Sequence, residues 1–333
     1  VPAGWTDWMA GLETPWRRGS GISGNTYDYF NYTQNINGRT VQNRGKYSST
    51  LIGNEVQGLV SKYHRSTKPF FIWVTPVAPH HGGPTESDDP RPYRMATRNG
   101  PRVQKFVTPA RPGWVKGRFN GQITHAPGVP VSRPAEANIR DKPRNVRWAP
   151  EATRSEKRSL RNAERQRAEA IFAWDREFGK IIDRLKATGE YDKTIIMFTS
   201  DNGFYIGEHR QRLGKIKAYE PVIHVPLVVA GPGIQQGVRY TPTTTFDLTS
   251  TILDLADARP LPGMDGSSKV SQLYGPDQDW DTAVVTEGLL TGVRYRDRGH
   301  GVPRGLTTSG LRTGRYKLIK YSTGESELYD LLT

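Results

Sequence analysis

The sequence contains no cysteine, and this absence excludes several kinds of site at once. Disulfide bonds, thiolate nucleophiles and zinc-thiolate centres cannot form in such a chain. Long apolar runs are also missing, since no stretch approaches the roughly 18 consecutive apolar residues that a membrane-spanning helix requires. The 24 prolines and 35 glycines indicate many long loops. The sequence therefore predicts a chain without a membrane span whose chemistry does not involve thiols.

Acidic residues are outnumbered by basic ones, 33 against 47, and the formal net charge is +14. The excess is concentrated between about residues 91 and 167. A field of this sign attracts polyanions such as nucleic acid, an anionic membrane surface or a sulfated polysaccharide. A solvated basic surface without a specific partner is an equally open interpretation. Nucleic acid is the weaker choice, because no helix-turn-helix, RRM or zinc signature is present.

Three short apolar runs, bounded by turn residues, are typical of buried strands. They occupy residues 69–75, 194–199 and 225–230. Two stretches have helical spacing, at 51–64 and 155–187, and the second is predicted to start from Ser155 as its N-cap. Strands that alternate with helices predict an α/β fold with a mostly parallel sheet flanked by helices.

Antiparallel hairpins are predicted near both ends of the chain. Residues 27–40 carry the turn signal Asn37-Gly38, and the tail 311–328 alternates around Thr313-Gly314-Arg315. We therefore predict an α/β domain over 1–265, with a Pro/Arg-rich irregular segment at about 85–150, and a small antiparallel C-terminal subdomain over 266–333.

Polar side chains follow two of the predicted strands. Asp201 and Asn202 come directly after the strand at 194–199, and His80 follows the strand at 69–75. Ligands in open α/β sheets bind beyond the carboxyl ends of strands, so these residues are candidates for one site. Carboxylate and amide oxygens suit calcium or magnesium. An Asx-turn that merely closes a strand is the alternative interpretation of Asp201-Asn202-Gly203.

The spacing of the residues around Asp201 resembles the C-terminal signature of the sulfatase family, within the alkaline-phosphatase-like superfamily. The matching residues are Thr199-Ser200-Asp201-Asn202-Gly203, Gly207-Glu208-His209, Lys215, Tyr219-Glu220 and Val225-Pro226-Leu227. The stretch Pro69–His80 resembles the strand and Pro-His element that places a histidine in sulfatase active sites. Two further stretches, Val1–Trp8 and Tyr29–Tyr32, are similar to elements of the glucosamine-6-sulfatase and heparan-sulfate sulfatase branch.

The resemblance implies a sulfuric ester hydrolase that acts on sulfated sugars such as glucosamine-6-sulfate units, and it implies export to an extracellular or periplasmic compartment. It implies that Asp201 and Asn202 bind Ca²⁺ and that Lys215 holds a sulfate oxygen. His80 is implied as the residue that contacts sulfate and assists the leaving group, with His81 as the adjacent alternative. His209 is implied as a substrate-binding residue.

The same chain departs from the family at the nucleophile. Sulfatases use a formylglycine made within a Cys/Ser-x-Pro-x-Arg motif, and this sequence has no such motif; 107–111 resembles only its tail. The Asp-Asp pair that supplies further calcium ligands is missing too, and two side chains cannot provide the six to eight oxygens that calcium prefers. We therefore expect the nucleophile to lie outside this chain, in an N-terminal fragment of the same protein.

Two alternative functions stay open at this point. A catalytically incomplete, sulfatase-like protein that binds polyanions would explain the charge and the missing nucleophile. A phosphodiesterase of the same superfamily would bind zinc or manganese instead of calcium.

Overall fold

A computed structural model of the chain describes residues 1–13, 22–95, 102–130, 136–147, 149–215, 217–277, 282–289 and 307–332. Its helices are α1 (Ser48–Tyr63), α2 (Arg144–Arg147), α3 (Arg154–Ala187), α4 (Glu220–Ile223), α5 (Thr245–Leu255) and α6 (Val270–Tyr274). Its strands are β1 (Met9–Gly11), β2 (Asn31–Ile36), β3 (Arg39–Arg44), β4 (Tyr93–Met95), β5 (Arg102–Gln104), β6 (Ile196–Phe198), β7 (Tyr205–Ile206), β8 (Leu213–Gly214), β9 (Val228–Ala230), β10 (Val284–Leu289), β11 (Thr307–Arg312), β12 (Tyr316–Tyr321) and β13 (Ser326–Asp330).

The chain forms two compact units. The first unit comprises Val1–Met95, Pro101–Pro134 and Ala152–Asp192, and the second comprises Ala96–Gly100, Ala135–Glu151 and Lys193–Thr333. No helix within the described ranges is both long and apolar enough to cross a membrane. The predicted boundary at residues 265 and 266 stays a prediction.

The hairpin of the first unit confirms the turn prediction at Asn37-Gly38. β2 and β3 pair in antiparallel register from Asn31↔Arg44 to Ile36↔Arg39, which leaves a two-residue loop. Both loop residues have positive φ, 50° at Asn37 and 91° at Gly38. A two-residue hairpin loop favours this conformation because its twist matches that of the flanking strands, and Asn-Gly adopts it with little strain.

The long helix α3 packs against α1 and contributes a series of buried apolar residues to the core of the first unit. The N-cap is Thr153 instead of the predicted Ser155: Thr153 and Glu156 form a reciprocal capping box, which satisfies two free N–H groups of the first turn. Gly53 of α1 allows close contact, because a Cβ there would lie 2.8 Å from Cβ of Glu177. The buried residues of α3 recur at helical spacing, including Leu160, Ala163, Ala170, Trp174, Ile181 and Leu185.

The strand predicted at 69–75 is wrong. These residues form no strand in the structure, and Phe71 and Trp73 are 58% and 68% exposed. Their side chains alternate between exposed and half-buried, which is the geometry of an extended segment. A strand also requires a hydrogen-bonded neighbour, and no described strand pairs with this segment.

The second unit confirms the antiparallel C-terminal subdomain. β10, β11, β12 and β13 form a four-stranded antiparallel sheet in that order, and the turn at residues 313–315 joins β11 to β12. β6 and β9 pair antiparallel, and among the described strands no parallel ladder is present. The core of this unit consists of Val146, Tyr205, Tyr219, Val222, Ile319 and Tyr321.

Candidate active site

A short hairpin in the second unit brings together two of the residues that the sequence predicted for the site. β7 pairs with β8 through Tyr205↔Gly214 and Ile206↔Leu213. The chain enters β7 from Asp201 and Asn202, and it leaves β8 at Lys215. Because antiparallel strands align their opposite ends, Lys215 reaches Asn202, and its Nζ donates to Asn202 Oδ1 at 3.2 Å.

Gly203 explains why this motif requires glycine after Asn202. Its N–H donates to Val222 O at 2.7 Å, so the backbone lies directly against α4. A Cβ at Gly203 would lie 2.0 Å from Pro221 O, which no side chain tolerates. The close approach anchors the loop that carries Asp201 and Asn202 to α4, whose Val222 is buried.

The oxygen atoms of Asp201 and Asn202 differ in their readiness to bind a cation. The Asp201 side chain is exposed, and its carboxylate makes no hydrogen bond to a described residue. The Asn202 amide is already engaged, since Oδ1 accepts from Lys215 and Nδ2 donates to Gly203 O at 2.9 Å. The pair offers at most two of the six to eight oxygens of a calcium site, and one of them faces an ammonium.

His209 lies in the loop that connects β7 to β8, so a ladder of two residue pairs separates it from Lys215. Its Nδ1 lies 2.6 Å from Oε1 of Glu136, and its ring stacks on Tyr219 with centroids 3.9 Å apart. The side chain is 18% exposed. Sequence reasoning missed Glu136, which is 73 residues from His209 and carries no motif of its own.

His80 belongs to the first unit, where its neighbours hold the loop around it. Tyr29 Oη donates to His80 O at 2.7 Å, and His80 N–H donates to Val77 O at 2.8 Å. The His80 ring stacks on His81 at 4.2 Å between centroids and lies 4.8 Å from the ring of Tyr27. The histidine pair is therefore an ordered feature of this unit, with aromatic support on one side.

We next compared the sequence of the chain with models of known protein families. The sulfatase family model matches residues 8–258, which is most of the chain and includes all five candidate residues. The chain belongs to the sulfatase family. This result confirms the resemblance carried by the Asp201–Leu227 spacing, although it leaves the role of each residue untested.

Individual sulfatases show the same relationship. The chain is 28% identical over 359 residues to an arylsulfatase of Volvox carteri, covering 100% of this chain and 52% of that protein. It is 29% identical over 295 residues to the N-acetylglucosamine-6-sulfatase of Homo sapiens, covering 86% and 46%. The chain thus spans about half the length of the curated relatives it matches.

The fold has a counterpart among solved structures. A protein solved in complex with its substrate D-glucosamine-2-N,6-O-disulfate aligns over 100% of this chain and 70% of its own, with a TM-score of 0.68 and 19% identity. This likeness confirms the predicted α/β fold class.

An acidic cluster in the first unit also has the composition of a cation site. Oxygens of Glu86, Asp88 and Asp89 lie within 4.8 Å of one another. Protein cations already occupy the cluster: Arg111 donates to Glu86 at 2.6 Å and to Asp88 at 2.8 Å, and Lys116 lies 2.8 Å from Glu86. The arrangement is therefore an ion network in which Arg111 and Lys116 already contact Glu86 and Asp88, and a metal ion would have to disrupt these ion pairs.

Glu220, at the start of α4, anchors this helix to the C-terminal sheet. Its carboxylate accepts from Lys317 Nζ at 2.8 Å and from Arg312 Nε at 3.0 Å. Burial alone would raise the pKa of Glu220, but Lys317 and Arg312 lower it below its ordinary value of about 4.5. Burial dominates for Lys317 itself, which is only 1% exposed, and lowers the pKa of its ammonium.

These contacts predict a pH-dependent stability. Because the folded pKa of Glu220 is depressed, its contribution is full above the unfolded value and is lost as the pH falls through the folded value. Glu220→Gln is expected to lower the free energy of unfolding by about 1.5–3 kcal/mol near neutral pH. Urea titrations should show this difference shrink below about pH 4. If wild type and Glu220→Gln differed in unfolding free energy by the same amount at neutral pH and below about pH 4, the assignment would be wrong. Lys317 cannot cause the predicted change, because a lysine stays protonated throughout this acidic range.

Proposed function

We propose that the whole protein is a sulfuric ester hydrolase that acts on sulfated sugars such as glucosamine-6-sulfate units. The observation that supports this most directly is the Lys215 ammonium beside Asn202 in a chain of the sulfatase family. Asp201 precedes Asn202 in the sequence, and its exposed carboxylate makes no hydrogen bond to a described residue. The names of a human relative and of the substrate in a solved neighbour point to the same sugar chemistry.

Each candidate residue has a role that its chemistry permits. Lys215 supplies a compact positive charge for a sulfate oxygen, which gains negative charge as the S–O bond breaks. His80 donates a proton to the departing sugar oxygen and contacts the sulfate group. His209 binds the substrate. The basic residues of the first unit and of segment 136–147 would favour the approach of a polyanionic substrate.

The nucleophile belongs to a part of the protein outside this chain. We propose that it is the formylglycine of the family, whose hydrated form would attack sulfur. Calcium, when bound, would stabilise the negative charge of the sulfate group. In this chain Asp201 is suited to a hard oxygen-binding cation, and Asn202 would share its oxygen between that cation and Lys215.

The calcium proposal predicts a stabilisation that depends on Asp201. Millimolar Ca²⁺ should raise the Tm of the full-length protein, because a ligand that binds only the folded state stabilises it by mass action. Asp201→Ala should abolish most of that increase, while Asp192→Ala, which changes the charge equally, should preserve it. An equal increase in both variants would place the calcium site elsewhere.

We also propose that an N-terminal part of the same protein completes the fold beside the first unit. The chain spans about half of its relatives. Residues 70–75 are extended, carry exposed Phe71 and Trp73, and make no backbone hydrogen bond to a described residue. Such a segment can accept an added strand.

The intact mass of the native protein tests this proposal. A larger chain or a second polypeptide is expected, and a single species of 37.3 kDa would refute the proposal.

The decisive experiment is a sulfate-release assay on the purified full-length protein with glucosamine 6-sulfate. We expect sulfate release that depends on calcium, and we expect the protein to be exported, as the family resemblance implies. Heparin binding that weakens steeply with salt, without sulfate release, would favour the polyanion-binding alternative. Phosphate-ester hydrolysis that requires zinc or manganese would favour the phosphodiesterase alternative.

A further inference from the structure

The His209 ring is held on three sides by groups of the second unit. Glu136 Oε1 contacts Nδ1 at 2.6 Å. Tyr219 stacks on one face, with an interplanar angle of 17°, and the ring of Tyr329 meets it edge-on at 5.6 Å. Nε2 makes no hydrogen bond to a described residue. The ring is therefore fixed, while one nitrogen stays available.

The backbone at this contact is in an unfavourable conformation on both sides. φ is +54° at Glu136, +50° at His209 and +57° at Arg210, although none of these residues is glycine. Non-glycine residues adopt such angles at a cost, and they persist where the surrounding contacts impose them. Arg210 provides such contacts, since its Nε donates to Glu136 O at 3.2 Å and its Nη1 donates to Ala149 O at 3.4 Å.

The Tyr219 ring that stacks on His209 is itself held by hydrogen bonds of its hydroxyl group. Its hydroxyl donates to Glu327 at 2.7 Å, and Tyr321 and Tyr329 donate to the same carboxylate. Burial raises the pKa of Tyr219 well above its usual value, so the hydroxyl keeps the proton that it donates. Movement of the Tyr219 ring away from His209 would break hydrogen bonds of this buried network.

We infer that Glu136 is a positioning residue for the proposed hydrolysis: it holds the proton of His209 on Nδ1, so that Nε2 is the atom presented to the sulfated sugar. A carboxylate at Nδ1 selects the tautomer with hydrogen on that nitrogen. Nε2 then accepts from a sugar hydroxyl when the ring is neutral, or donates when it is charged. The inference rests on the proposed function for the identity of the ligand, but the tautomer itself is independent of it.

Two measurements on the full-length protein test the inference. Glu136→Met removes the acceptor, and ¹⁵N chemical shifts of the His209 ring should then show the proton move from Nδ1 to Nε2. The KM for glucosamine 6-sulfate should rise about 3- to 10-fold, with a smaller change in kcat, as the loss of one oriented hydrogen bond implies. Glu136→Gln, which keeps a neutral acceptor, should restore much of both signals.

Lys142→Met is the matched control, because Lys142 Nζ lies 3.8 Å from the other carboxylate oxygen of Glu136 and makes no hydrogen bond to the His209 ring in the described part of the chain. It should leave the tautomer and KM unchanged. An Nδ1 proton that persists in Glu136→Met, or an unchanged KM, would overturn the inference while leaving the hydrolase proposal intact. If the wild-type protein releases no sulfate, the function fails, and the ¹⁵N shifts still decide whether Glu136 sets the tautomer.

Discussion

Replacing Lys215 by alanine is expected to reduce sulfate-ester turnover by the full-length protein about 100- to 1000-fold, the usual effect of deleting one preorganised charge-stabilising group. The ammonium lies where the β7–β8 hairpin brings it to Asn202, and no other described lysine contacts this residue. Charge develops on sulfate oxygens during S–O cleavage, so the effect should fall on kcat/KM. Steady-state kinetics with glucosamine 6-sulfate measure it.

The control for Lys215 is Lys320→Ala, which removes an equal charge from an exposed position on β12 of the same unit. It should retain wild-type turnover, which separates local chemistry from long-range attraction of an anionic substrate. Lys215→Arg should recover only part of the activity, since a planar guanidinium does not replace a compact ammonium. Wild-type turnover in Lys215→Ala would remove Lys215 from the proposed mechanism.

Replacing Arg111 by methionine is expected to lower the free energy of unfolding by about 3–5 kcal/mol, because one buried partner of an ion network is removed. The Arg111 side chain is 1% exposed and binds Glu86, Asp88 and Glu169 at 2.6, 2.8 and 2.7 Å. Without it, the almost fully buried Glu169 loses its only ion-pair partner among the described residues. Urea unfolding followed by circular dichroism measures the loss.

Arg315→Met provides the comparison for Arg111. Arg315 pairs with Asp330 on the surface and is 54% exposed, and solvent screens such pairs. Its replacement should leave the urea midpoint unchanged. A similar midpoint in Arg111→Met and in the wild-type protein would show that the network tolerates the loss of its central cation.

The sequence predicted the features that depend on neighbours along the chain. Asn37-Gly38 specified the first hairpin, and the apolar spacing specified α1 and α3. The error at the start of α3 was small but instructive: both Thr153 and Ser155 can cap a helix, and the choice depended on Glu156, which completes the box with Thr153. The strand predicted at 69–75 failed because apolar composition identifies an extended segment, whereas pairing requires a second segment at the right distance.

The residues of the candidate site differ in the same way: those close in sequence could be predicted, and those distant in sequence could not. The motif from Asp201 to Lys215 could be recognised because its residues lie within 15 positions, and a two-pair hairpin is enough to bring them together. Glu136 could not be recognised, because a carboxylate in a loop has no periodicity or spacing that links it to a histidine 73 residues away. Arg111 was visible only as part of a motif-like stretch, and its acidic partners come from two distant parts of the first unit, the loop that carries Glu86 and Asp88 and the helix α3 that carries Glu169.

By itself the sequence predicted the family, the α/β class, the main helices and hairpins, and the short spacing that brings Lys215 to Asn202, since these follow from local patterns of polarity, turn residues and spacing. Only the tertiary structure decided which carboxylate contacts His209, which cations pair with the acidic cluster, and which apolar segment has exposed side chains. Those outcomes depend on contacts between distant segments, whose geometry is set by how helices and strands pack and not by any one segment's composition.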